Sequence, residues 1–155
     1  MAEGENGFVN IFQRIIEKIY LRIPGNLAYY DQLTHTYNRL YYDRVMKPKY
    51  VDYSVIVEFF DIDNLKRIND SMGHSCGSDL ISEIAKKILE NKNTIEVARI
   101  GGDEFVAIVK MPFEIENASC GFYKKEMYED LSSAVMKADK KMYSEKQQKR
   151  KEENK

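Results

Sequence analysis

Between Tyr53 and Phe60 the chain runs through Val55, Ile56, Val57, Phe59 and Phe60 with hardly a polar interruption. β-Branched and aromatic residues favour extended backbone, and a run that is apolar at both parities has no face to offer water. It predicts a strand buried on both sides, and therefore a sheet that helices must cover. The run ends at Asp61-Ile62-Asp63. Alternation along an extended chain sends the carboxylates of Asp61 and Asp63 to the same side as they emerge from the strand.

The remaining periodicities supply the covering elements. Ile11, Ile15, Ile19 and Ile23, widened by Phe12, Ile16 and Tyr20, predict an amphipathic helix over about residues 10–23, stopped by Pro24-Gly25. One stripe does not name its partner, so packing on its own domain and contact with a second copy both fit. Leu33, Tyr37, Leu40 and Tyr41 predict a second helix from Asp31 to Met46, broken at Lys47-Pro48. Leu80, Ile84, Ile88 and Leu89 predict a third, from Ser78 to Glu90. Two short β-like runs, Glu96 to Ile100 and Phe105 to Val109, are joined by Gly101-Gly102-Asp103-Glu104, a hairpin signal. A strand from Ala118 to Tyr123 and a helix from Met127 to Lys146 follow, then a polar tail. The expected fold class is α+β: a mainly antiparallel, ferredoxin-like sheet covered by helices. The expected division is an extension over residues 1–30, a domain over 31–150 and a tail over 151–155.

Bulk properties exclude several classes. Lys+Arg 24 nearly cancels Asp+Glu 25 across 155 residues, so no whole-chain field draws the protein to nucleic acid or anionic lipid. Any bound anion must be held locally. No apolar run reaches the roughly 20 residues of a membrane helix, and no signal-peptide pattern opens the chain, so a cytoplasmic location is expected. Cys76 and Cys120 lack the spacing of a disulfide framework or a zinc site.

Asp61 and Asp63 at a strand end, and Asp103 and Glu104 at a hairpin tip, form two acidic clusters. If the strands are neighbours these carboxylates converge, and hard oxygen donors suit Mg²⁺ or Mn²⁺. Converged carboxylates beside a phosphate-sized space point to two-metal phosphoryl chemistry. The plainer alternative is that Asp63 caps a turn and Gly101-Gly102-Asp103 is an ordinary hairpin tip.

The order of motifs weighs against that alternative. Asp31-Gln32-Leu33-Thr34 with Asn38-Arg39, then Asp61-Ile62-Asp63-Asn64-Leu65-Lys66 with Ile68-Asn69-Asp70 and Gly73-His74, then Arg99-Ile100-Gly101-Gly102-Asp103-Glu104-Phe105, then Ala138-Asp139 with Met142-Tyr143 and Lys146, lie in sequence along the chain. Together they resemble the GGDEF family of diguanylate cyclases, whose fold is of the palm type. The resemblance implies a homodimer in which two GTP-loaded domains face each other and each 3′-hydroxyl attacks the other α-phosphate. It implies Mg²⁺ or Mn²⁺, two ions per half-site, with Asp61, Asp103 and the Ile62 carbonyl as ligands. Glu104 becomes a further ligand or an aid in activating the hydroxyl. It further implies that Gly101 and Gly102 allow close backbone approach to the nucleotide. Asn64, Leu65 and Lys66, with Lys146 and Arg150, hold the phosphates, while Asn69, Leu65 and the position of Ser78 meet the base. His74 is expected to be structural.

Three departures accompany the resemblance. Gly73-His74-Ser75-Cys76-Gly77-Ser78 places Ser78 where the family has a guanine-reading Asp. A hydroxyl both donates and accepts, so discrimination against adenine weakens, and ATP use with a mixed cyclic GMP-AMP product is implied. Only Lys110 to Asn117 separates the signature strand from the next, where the family has a helix; a sheet face is expected to be partly bare. Lys92-Asn93-Thr94-Ile95 stands where the family's product-inhibition motif would be, so that feedback is not expected. Two other readings stay open: a GGDEF module without turnover that senses nucleotide or binds a partner, and a relative of the palm domains of CRISPR-associated oligonucleotide cyclases, against which Glu104-Phe105 argues.

Overall fold

The computed structural model describes residues 27–153, with side chains to Gln147. The amphipathic stripe over residues 10–23 lies outside them. Four strands, β1 (Val55–Ile62), β2 (Thr94–Arg99), β3 (Glu104–Val109) and β4 (Ala118–Lys125), form one sheet in the order β2-β3-β1-β4, every neighbouring pair antiparallel. The helices are α1, a continuous run of Arg39–Tyr41, a π-helical Tyr42–Met46 and Lys47–Lys49; α2 (Leu65–Met72); α3 (His74–Glu90); and α4 (Leu131–Glu153). This is the ferredoxin-like arrangement, in which α2 and α3 carry the chain from β1 to β2 and β3 fills the gap between them.

β1 is buried on both faces, as its composition requires. Val57 and Phe59 join Ala98, Val106 and Ile108 beneath α1 and α4. Phe60 and Ile62 join Phe105, Ala107 and Val109 beneath α2 and α3.

Element bounds move for local reasons. Residues 31–37 form a turn because Asp31 Oδ1 accepts from both the amide and hydroxyl of Thr34, competing with helix. The helix waits for Asn38, whose side chain accepts from the Tyr41 amide. It then passes through Pro48 to Lys49, where a stop was expected. The π-helical turn before it, with Lys47 N–H donating to the Tyr42 carbonyl, widens the helix and accommodates a ring that has no donor. α2 was read only as a helical turn and α3 begins four residues early, at His74, after Gly73 with φ 89 opens the corner between them. β4 extends to Lys125, and α4 starts late, where Asp130 Oδ2 accepts from the Ser133 amide. It also runs on past Lys146 to Glu153.

The shortened link from β3 to β4 is a strap rather than a helix, and it does not leave its face wholly bare. Phe113 and Ile115 turn into the second core, the Phe113 ring lying 5.3 Å from that of Phe60. The Phe113 amide donates to the Glu58 carboxylate at 3.1 Å. Glu58, in the middle of β1, is 1% exposed, and burial pushes its carboxyl up to about 7. Phe122 on β4 stays open, with the Lys141 ammonium 5.2 Å from its ring.

Gly121 sets how closely α4 lies on β4. A Cβ there would collide with the Ala138 carbonyl oxygen and the Met142 amide nitrogen, both backbone atoms that cannot rotate away. Gly121→Ala is expected to destabilise the fold by about 2 kcal/mol. Urea unfolding measures it; a loss under about 0.5 kcal/mol would show that the helix shifts freely.

Candidate functional site

The acidic clusters converge because β1 and β3 are direct neighbours. Asp61 and Glu104 are partners in the antiparallel register, one at the end of β1 and the other at the start of β3. The turn between β2 and β3 closes over them: Ile62 N–H donates to the Asp103 carbonyl at 3.0 Å, and Ile100 N–H donates to the Glu104 carbonyl at 2.9 Å. The Glu104 carboxylate lies over Gly101, and a Cβ there would displace it from this position. A Cβ added at Gly102 would meet no atom within 4 Å, so that side of the turn is open.

α4 brings the counter-charge. Lys146 Nζ lies 2.6 Å from Asp61 Oδ1 and 3.1 Å from Asp63 Oδ1. Asp63 is fixed from β4 and the strap: Ser119 Oγ donates to its Oδ1 at 2.7 Å, and its amide donates to the Asn117 carbonyl at 2.9 Å. Burial alone would lower the Lys146 pKa, but hydrogen bonds to Asp61 and Asp63 outweigh it and hold the ammonium above its ordinary value. The Glu104 carboxyl is raised as well, which in an acid disfavours the charged form. Burial raises it, and the negative charges of Asp103, Asp61 and Asp139 raise it further. Among the described residues no three acidic, histidine or cysteine side chains are grouped closely enough to form a ready metal cage. The donor set nonetheless fits a divalent cation, because Asp61 pairs with Glu104 across the strands, Asp103 lies on the adjoining turn, and the oxygens are all hard ligands.

Several residues that had no assigned role hold the hairpin in place. Arg99 Nη1 donates to Asp31 Oδ1 at 3.1 Å and its Nη2 donates to the Gly102 carbonyl at 2.6 Å, while Arg39 Nη1 donates to the Ile100 carbonyl at 3.2 Å. Burial would raise the Asp31 pKa, yet hydrogen bonds from Thr34 and Arg99 bring it below the ordinary carboxylate value. Their signal in the sequence was the opening motif itself, 68 residues from the arginine it fastens. Asp139 left no such trace beyond its position in the closing motif, and Ser119 left none.

The residues expected at the base and phosphates sit at the beginning of α2 and at its corner with α3. Asn64 takes the left-handed conformation, φ 56, that turns β1 into α2. Lys66 is exposed and lines an open depression with Asn64, Arg67, Asp70 and Ser71. The Asn69 side chain lies against Gly77, where any Cβ would overlap its amide oxygen, so Asn69 and the adjoining Ser78 belong to one corner. His74 is exposed there. The Leu65 side chain is buried in the second core, as the first residue of α2 to face the sheet. The Arg150 side chain lies outside the described residues.

The model of the diguanylate cyclase GGDEF domain matches residues 28–118. The diguanylate cyclase DgcS of Shewanella oneidensis is 40% identical over 108 residues, covering 64% of this chain and 36% of that protein. The probable diguanylate cyclase DgcE of Escherichia coli is 33% identical over 113 residues, covering 66% of this chain and 10% of that protein. The chain thus spans little more than a third of the first of these relatives and a tenth of the second. Among solved structures, the GGDEF domain of DgcB from Caulobacter crescentus in complex with c-di-GMP superposes with TM-score 0.64 at 23% identity, over 77% of this chain and 88% of that one. Diguanylate cyclase SiaD from Pseudomonas aeruginosa, in complex with its activator SiaC, gives TM-score 0.65 at 20% identity, over 94% and 68%. These two likenesses concern the fold.

Proposed function

The chain belongs to the GGDEF family of diguanylate cyclases, and from that premise we propose that it condenses two GTP into cyclic di-GMP and two pyrophosphates, as a homodimer, with relaxed choice of base. The observation that carries the reading is the cross-strand pairing of Asp61 with Glu104, with Asp103 on the intervening turn and Lys146 laid against Asp61 from a separate helix. In each half-reaction a 3′-hydroxyl oxygen forms a bond to the facing α-phosphorus, the bond to the β-phosphate oxygen breaks, and the hydroxyl proton is taken up. Asp61, Asp103, Glu104 and the Ile62 carbonyl are the residues to hold Mg²⁺ or Mn²⁺, two ions per half-site. When bound, these ions neutralise charge at the phosphates and acidify the attacking hydroxyl. Glu104 serves as a further ligand or as an aid in activating the attacking hydroxyl. Lys146, with Arg150 one turn further along the chain, and the amides at Asn64 and Leu65 with Lys66, serve the phosphates.

The base is left to Asn69 and Ser78. A hydroxyl at Ser78 accommodates either the donors of guanine or the acceptor of adenine, so cyclic GMP-AMP is an expected second product. Purified protein incubated with Mg²⁺ and GTP, ATP or both, with products resolved by mass, tests both statements. Ser78→Asp is expected to shift the mixed-nucleotide product ratio at least about tenfold toward cyclic di-GMP, through a charge-assisted bond to guanine. An unchanged ratio removes Ser78 from base reading.

A second reading, a nucleotide-binding module without turnover, draws support from the Lys146 pairing and from the absence of a ready metal cage among the described residues. Tight GTP binding with no pyrophosphate from any mixture would decide for it. The domain division 31–150, with the amphipathic stripe acting as an accessory to it, is part of the same proposal and rests on the family match beginning at residue 28.

A further inference from the structure

Lys146 is expected at the phosphates, yet here its ammonium sits between two carboxylates of the strand end. Its Nζ takes Asp61 Oδ1 at 2.6 Å and Asp63 Oδ1 at 3.1 Å, with all three side chains about a quarter exposed. The two carboxylates are not equivalent. Asp61 faces Glu104 across the strands and has no hydrogen-bond donor of its own among the described residues besides Lys146. Asp63 Oδ1 is additionally gripped by Ser119 Oγ at 2.7 Å, and its backbone is pinned to Asn117. Of the two anchors, Asp63 is therefore the more firmly positioned.

We propose that Lys146 is a tethered counter-ion that competes with the divalent cation for Asp61, and that Asp63, held by Ser119, retains the ammonium when the cation takes Asp61. This deepens the reading of Asp61 as a metal ligand and rests on it. The physical basis is charge. An acidic cluster this crowded needs a cation at all times, and an ammonium on a flexible stem supplies one without a bound ion. Binding of the divalent ion then costs the Lys146–Asp61 pair, so the ion alone binds weakly. An ammonium freed from Asp61 but kept by Asp63 is placed to meet an arriving phosphate, which returns that lost contact. Metal and nucleotide thus reinforce each other's binding through one side chain, and by linkage the reinforcement is reciprocal. Ser119 is a positioning residue in this scheme, and so is Asp63.

The test is equilibrium binding of Mn²⁺ to the nucleotide-free chain, followed by the loss of the free-ion electron paramagnetic resonance signal. Lys146→Met, which keeps the stem and removes the charge, is expected to tighten Mn²⁺ binding by about tenfold. Lys146→Gln is expected to do the same, which covers the case in which Met alters packing. Lys86→Met removes an equal charge from an exposed position on α3 and is expected to leave Mn²⁺ binding within about twofold. Added GTP is expected to tighten Mn²⁺ binding in the unaltered chain by a larger factor than in either Lys146 variant. Unchanged or weaker Mn²⁺ binding in both Lys146 variants overturns the proposal. The cyclase reading is judged separately, by product formation from GTP in the unaltered protein: a chain that turns over GTP while Lys146→Met leaves Mn²⁺ affinity alone keeps the first reading and loses this one.

Discussion

Asp61→Asn is expected to cut pyrophosphate release from GTP by at least about a thousandfold while leaving the fold intact. The substitution preserves shape and removes one negative charge at the point where β1, the signature hairpin and α4 meet. On the proposed reading a metal ligand is lost, and the remaining acidic set, Asp103 and Glu104, comes from a single hairpin. Folding is protected by two compensations. Lys146 keeps Asp63 as a partner at 3.1 Å, and Glu104 is relieved of one of the charges that raise its pKa. The change in unfolding free energy is therefore expected to stay within about 1 kcal/mol. Steady-state pyrophosphate release with Mg²⁺ and GTP, alongside urea unfolding, reads both quantities. Activity within tenfold of the unaltered protein would remove Asp61 from the reaction, and a collapse of the fold would make its role structural.

The second large effect concerns stability and lies away from the reaction. Glu58→Gln is expected to stabilise the protein at pH 8 by about 3 kcal/mol, and by much less at pH 5. Glu58 is buried on the face of the second core, and among the described residues the group donating to it is the Phe113 amide. Burial pushes its carboxyl from 4.5 to about 7 in the folded chain. Between those values the folded chain keeps a proton that the unfolded chain has released. Stability therefore falls as pH rises from about 4.5 to about 7 and levels off above that. Below the unfolded value both states are protonated and the carboxyl costs little. Glutamine removes the titration while its carbonyl still accepts from Phe113. Denaturant unfolding of both proteins at pH 5 and pH 8 measures the difference, and an equal effect at the two pH values would show that Glu58 does not titrate in this window. The buried charge sits where the strap replaces a helix, so part of the cost of that shortening is concentrated at one residue.

Much of this was legible before any coordinates. The both-face burial of Val55 to Phe60, the hairpin at Gly101-Gly102, and the four ordered motifs are local signals, carried by neighbours in sequence through strand alternation and turn preference. What the sequence reading misplaced is instructive. The helix expected from Asp31 starts at Arg39 because two side chains, Asp31 and Thr34, bond locally and outcompete backbone periodicity that looked helical. The bare face expected from the missing helix is partly filled by Phe113 and Ile115, whose spacing in a short polar-flanked segment carries no recognisable period.

By itself the sequence determined the family and most of the secondary structure, and it marked out the acidic residues proposed for the chemistry, since each of these is written in residues a few positions apart. Only the tertiary structure decided which charges meet. Lys146 and Asp61 are 85 positions apart, and they touch because Gly121 lets α4 lie flat on β4 and because β1 sits beside both β3 and β4. Arg99 reaches Asp31 and Gly102 for the same kind of reason. Contacts of that range depend on sheet order and helix seating, which arise from the packing of the whole core and have no local period from which to be read.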